Sequence, residues 1–108
     1  MSPFCVYLCT CKDIEEARSI SSILIREGLA ACVNVLSGVE SIYMWKNELC
    51  HDREVLLLIK SSEKKFDELQ RCILQHHSYE LPEIISIPIT GGSQSYLKWL
   101  DMHLQNAL

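Results

Sequence analysis

Two periods of apolar residues alternate along this chain. Residues 4–10, FCVYLCT, mix β-branched, aromatic and small apolar side chains and predict a strand. Asp13 with Glu16 three positions on is a capping-box signature. Ile14, Ala17, Ser21 and Leu24 then recur at helical spacing, and Gly28 suits a helix stop, so 13–28 is predicted as a helix. LAACVNV, 29–35, predicts a second strand that resumes after a break at Ser37-Gly38 as VESIYMW, 39–45. Lys46-Asn47 is a plausible tight turn without the Asn-Gly signature, and 48–60 is its long antiparallel partner. Ser62 is placed to cap a second helix whose apolar stripe is Phe66, Leu69 and Ile73. Pro82 cannot lie inside that helix and pushes Leu81 towards extended geometry. EIISIPI, 83–89, predicts a further strand that ends or bulges at Pro88. Gly91-Gly92 then precedes a short amphipathic helix over 93–104.

The order β-α-β-β-α-β plus a terminal helix is the α+β, ferredoxin-like split-βαβ sandwich with an antiparallel sheet. Residues 1–108 form one domain, as the length suggests, without repeats or linkers. Two helices cover one face of such a sheet, and the other should turn polar. Here Val55-Leu56-Leu57-Leu58-Ile59 is apolar on both faces, and Ile84, Ile85, Ile87 and Ile89 nearly so. An apolar patch of several hundred Å² is unusual on a soluble monomer, so the pattern predicts a homo-oligomer. The competing arrangement folds the terminal helix back over the open face.

Charge narrows the function. Fourteen acidic against ten basic side chains leave a net −4, which argues against a phosphate-backbone binder. There is no basic leader pattern and no apolar run near the about 18 residues of a membrane span. The six cysteines follow neither a disulfide framework nor paired C-x-x-C zinc spacing, and reduced thiols in a cytoplasmic protein are the simplest reading.

The densest candidate chemistry is HHSYELPEII, 76–85. Extending the stripe of the second helix by three or four residues reaches His76 or His77, and either fits a half-buried helix-terminal histidine as readily as a ligand. Tyr79 can simply pack its ring, and Glu83 can be a solvated strand start. Cys5, Cys9 and Cys11 share a strand face with Tyr7, with Cα atoms of the C-x-C pair roughly 7 Å apart. That spacing is loose for one metal, and buried cysteine as a small hydrophobe is the better reading. Glu54 shares a face with Leu56 and Leu58; a carboxylate there needs a histidine, a lysine, a metal or solvent as partner. No nucleophile elbow, phosphate loop, dinucleotide fingerprint or RNA-binding aromatic pattern is present, so no reaction follows from the sequence.

LAACVNV at 29–35, SIYMW at 41–45, Glu54, Lys60, 76–85 and YLKW at 96–99 stand in an order that resembles the CutA family, the divalent-cation tolerance proteins. The resemblance spans nearly the whole chain. It implies a ferredoxin-like subunit in a tight homotrimer, and a non-enzymatic, metal-binding role in the response to metal ions. By motif position it implies a copper site, or one for another divalent cation, at Cys9, Glu54 and His76, with His77, Tyr79 and Glu83 lining a neighbouring cleft between subunits. Two positions depart from the family pattern: Ser78 replaces the usual proline after the histidine pair, and Ser61 replaces the threonine after Lys60. The alternative is a trimeric signalling or scaffold protein that binds a small anionic ligand in its inter-subunit clefts, on fold-level analogy with nucleotide-sensing trimers. A hydrolase using His76 and Glu83 as acid and base has the least support.

Overall fold

The structure, a computed structural model, describes residues 3–105. Strand β1 is Phe4–Cys11, helix α1 Ile14–Arg26, β2 Cys32–Trp45, β3 Glu48–Ser62, α2 Phe66–His76, β4 Ile85–Pro88 and α3 Gln94–Gln105. The four strands form one antiparallel sheet in the order β2-β3-β1-β4. That is the predicted α+β topology.

Local chemistry sets the boundaries. The Asp13 carboxylate accepts the Glu16 N–H at 2.9 Å, and Glu16 accepts the Lys12 N–H at 3.1 Å, so α1 begins on reciprocal caps. It ends at Gly28, whose φ of 71° lets the Leu29 N–H turn back to the Leu24 carbonyl at 2.9 Å. Lys46 and Asn47 both have positive φ, 49° and 67°, the mirror-image turn that matches strand twist.

Three expectations change. The predicted break at Ser37-Gly38 is a bulge inside one continuous β2: Leu36 pairs with Leu56 and Val39 with Glu54, so β2 carries one extra residue there. Gly38 takes a φ of 81° to accommodate it. Ser62 precedes a 3₁₀ turn, Glu63–Lys65, before α2, and its hydroxyl is buried without a partner instead of capping the helix. Finally, β4 covers only Ile85–Pro88, paired with β1 from the Leu8–Ile85 pair to the Cys5–Pro88 pair, and one more backbone bond, Ile89 N–H to the Phe4 carbonyl at 3.0 Å, follows it.

The core lies between the sheet and helices α1 and α2. Cys5, Tyr7, Cys9 and Cys11 of β1 meet Val55, Leu57 and Ile59 of β3, with Ala17, Ile20, Leu24, Leu69 and Ile73 above them. Tyr7 packs against Phe66 and donates its hydroxyl proton to the Ser62 carbonyl at 2.7 Å.

The opposite face carries Val6, Leu8, Leu56, Leu58, Ile85 and Ile87, by the registers of β1 with β3 and β4. Helix α3 reaches this side, where Lys60 donates to the Tyr96 hydroxyl at 3.4 Å, and Leu100 and Leu104 are buried. It leaves Ile85 and Ile87 49% and 45% exposed. Beyond Val55, β2 and β3 continue past the end of β1 as a two-stranded arm, with Ile42, Met44 and Leu49 exposed.

Candidate functional site

The junction after α2 is organised by one histidine. His76 closes the helix, and its Nδ1–H donates to the Cys72 carbonyl at 2.9 Å on the exposed side. His77, one residue later, has left helical geometry for φ −87° and ψ 143°. Its side chain is fully buried. Nδ1 accepts the Tyr79 N–H at 3.0 Å, so the neutral ring carries its proton on Nε2 and donates it to the Thr10 carbonyl at 2.8 Å. The two rings of His77 and Tyr79 lie 4.7 Å apart.

Glu16 joins the same junction. Its second oxygen accepts the Ser78 N–H at 2.7 Å and lies 4.0 Å from His77 Nδ1. Burial alone would raise this carboxyl, but hydrogen bonds from Ser78 and Lys12 and the neighbouring His77 outweigh it and hold it below its ordinary value. A group depressed in the folded state contributes stability above the ordinary carboxylate range and loses it as pH falls through the lower folded value. Glu16→Gln is therefore expected to destabilise the protein by about 1–2 kcal/mol near neutrality. That difference should shrink as pH is lowered from about 7 to about 3, which chemical denaturation of both proteins measures.

Glu54 finds its partner in Tyr79. It is 8% exposed, and the Tyr79 hydroxyl donates to its Oε2 at 2.7 Å. Burial and this carboxylate push the Tyr79 phenol above its ordinary value, so it stays a donor. Glu54 and Tyr79 sit at a cleft of about 750 Å³ between the arm and residues 79–83. Asp52, Glu80 and Glu83 join them there, with Tyr43 and Trp45, and no lysine, arginine or histidine lines it. Tyr43 donates to Asp52, which with partial burial pushes its phenol up to about 12. Four carboxylates without a basic residue suit a cation, whose hard members take oxygen ligands.

The residues that the resemblance grouped as ligands do not meet within one chain. Cys9 pairs directly with Leu57 and faces the helices, whereas Glu54, three residues from Leu57 along a regular strand, faces the other way. The sheet separates them. His76 lies in a third place, a shallow cleft with Glu27, Cys72 and Gln75 on the outer side of the helices. Of the residues assigned to a neighbouring cleft, Tyr79 and Glu83 line the acidic one, and His77 is buried behind it.

A different set does converge. Cys9 Sγ, Cys11 Sγ and a ring nitrogen of His77 all lie within 4.8 Å of one another, the one group of three ligand-type side chains at that spacing among the described residues. Both cysteines are fully buried. The Cys11 thiol beside it, and then burial, raise the Cys9 thiol well above the ordinary range. The C-x-C alternation was the available sequence signal. Its Cα atoms were expected roughly 7 Å apart, and the two sulfur atoms lie within 4.8 Å of each other.

Comparison with known proteins agrees with this architecture. The family model for the CutA1 divalent ion tolerance protein matches residues 5–103. The divalent-cation tolerance protein CutA of Thermus thermophilus is 43% identical over 95 residues, 88% of this chain and 92% of that protein. Protein CutA, chloroplastic, of Arabidopsis thaliana is 38% identical over 104 residues, and this chain spans 57% of its length. Among solved structures, the Thermus thermophilus divalent cation tolerance protein superposes with a TM-score of 0.88 at 42% identity, covering 90% of this chain and 94% of that one. The crystal structure of CutA1 from Oryza sativa gives 0.91 at 39% identity, with 94% and 93% covered.

Proposed function

Because the chain belongs to the CutA1 divalent ion tolerance family, we propose that it acts in cation tolerance as a non-catalytic homotrimer that binds the divalent ion itself. The observation that carries this reading is Glu54: a carboxylate buried to 8% exposure on the open side of the sheet, in a cleft with three further carboxylates and no basic side chain. A divalent ion compensates that charge. Copper is the first ion to test, with zinc beside it, and the six free thiols favour a reducing compartment such as the cytoplasm.

Trimer formation is supported by two apolar surfaces that one chain leaves uncovered. The open face keeps Ile85 and Ile87 in water, and the arm is a two-stranded ribbon, which is marginal without further packing. Association of copies covers both. A small anionic ligand fits the acidic cleft poorly, since each carboxylate repels it.

The Glu54 reading predicts that wild type takes up Cu(II) or Zn(II) at a fixed ratio per chain in competition with a chelator. Glu54→Gln is expected to weaken uptake at least about tenfold, since one charged ligand is worth roughly 1.4 kcal/mol or more. Equal uptake by both proteins removes Glu54 from the site.

A further inference from the structure

The acidic cleft is larger and more varied than one metal ion requires. Its volume of about 750 Å³ falls in the range of small-molecule sites, roughly 300–1,000 Å³. We propose that it binds a linear organic polycation of the polyamine class, with ammonium groups on the carboxylates and methylenes against the apolar and aromatic wall. An ion held at Glu54 would use one corner of this space, so the inference goes beyond the ion reading and does not depend on it.

The spread of charge argues for several cationic centres in place of one. Hard ions gather about six or more oxygens at roughly 2.0–2.6 Å. Among the described residues, no three carboxylates of this cleft bring oxygens within 4.8 Å of one another. Asp52 and Glu54 instead stand two residues apart on one face of β3, with Cα atoms roughly 7 Å apart. The short methylene bridges between the nitrogens of a polyamine cover a similar span. Glu54 lines the cleft while only 8% exposed, and its hydrogen bond comes from a neutral phenol, that of Tyr79. No ion pair offsets its charge among the described residues, and an uncompensated buried carboxylate is costly.

The wall supplies what an inorganic ion has no use for. Tyr43 and Trp45 line the cleft with their rings half-exposed, and Leu81 adds apolar surface. An ammonium group is attracted to the face of such rings. Trp45 already receives one, because the Lys46 Nζ lies 5.9 Å from its ring centroid. The two phenols have a second task. Tyr43 donates to Asp52 and Tyr79 to Glu54, which holds both carboxylates in place. Aliphatic amines, like lysine, are protonated at neutral pH, so the ligand arrives fully charged.

The test uses the full chain in its own oligomeric state, stripped of metal with a chelator. Calorimetric titration with spermidine and with putrescine is expected to show saturable binding at a fixed ratio per chain. Butylamine, with a single charge, should bind at least about tenfold more weakly. Asp52→Asn should weaken spermidine binding by about tenfold, and Trp45→Leu by about two- to fivefold. Asp67→Asn, at an exposed position in the first turn of α2, removes the same charge from the chain and is expected to change nothing. Equal weakening by the two aspartate variants overturns the proposal, since it reports attraction to the net charge alone. Absence of saturable spermidine binding overturns it too, and a tetralysine peptide that binds where spermidine does not assigns the cleft to a protein partner instead. Spermidine binding without uptake of Cu(II) or Zn(II) sustains this inference and removes the ion reading; the opposite result does the reverse.

Discussion

His77→Ala is expected to destabilise the protein by about 2–4 kcal/mol, whereas His76→Ala should change its stability by less than about 0.5 kcal/mol. The two histidines are adjacent, and their environments differ entirely. Removing the His77 ring strands two backbone groups, the Thr10 carbonyl and the Tyr79 N–H, and takes away the ring that packs on Tyr79. Each buried group left without a partner costs about 1–3 kcal/mol. Part of that is recovered where water reaches the junction, which sets the range. His76 is exposed and bonds only within its own helix, to the Cys72 carbonyl. Urea denaturation of the three proteins at one fixed subunit concentration measures both differences. Equal losses in the two variants would show that His77 is not the anchor between α2 and the end of β1.

The second large effect concerns assembly. Ile87→Glu places a carboxylate on the edge strand of the open face, beside Val6, where each chain exposes apolar surface. A charge enclosed at such an interface without a partner costs several kcal/mol, and the proposed trimer repeats the cost in every subunit. Sedimentation equilibrium is expected to report an oligomer for wild type and a single 12.4 kDa chain for the variant at micromolar concentration. An unchanged oligomer would move the interface elsewhere. The control is Glu15→Gln in the first turn of α1, an exposed position away from that face.

Where sequence signals were local, they were sufficient. Asp13 and Glu16 announced α1 because both caps are made within four residues. The stripe of Phe66, Leu69 and Ile73 identified the buried side of α2 because a helix repeats its own geometry. Registration between distant strands was not legible. Alternation gave Glu54 the same face as Leu56 and Leu58, and grouped Cys5, Cys9 and Cys11 with Tyr7. Only the pairing of Cys9 with Leu57 shows that those two faces are opposite. The choice between His76 and His77 was hidden for a related reason. A helix that ends one residue earlier or later exchanges their roles, and the stop is set by the Thr10 carbonyl, 67 residues away along the chain. The same distance effect concealed Tyr79, 25 residues from the carboxylate it serves.

The sheet order also dictates when the chain can finish folding. β1 lies inside the sheet, yet its neighbours are residues 55–62 and 85–88. During synthesis the first strand therefore emerges with two vacant edges, while the β2–β3 hairpin, joined by its two-residue turn, can close within microseconds of leaving the ribosome. Contacts across such long intervals make folding slow relative to a helical bundle of the same size. Until β4 docks, β1 offers an unpaired edge of FCVYLCTC, a hydrophobic, uncharged segment of the kind that templates aggregation. Four residues, Ile85–Pro88, are what cover it, so the shortest strand of the sheet protects the segment most in need of protection.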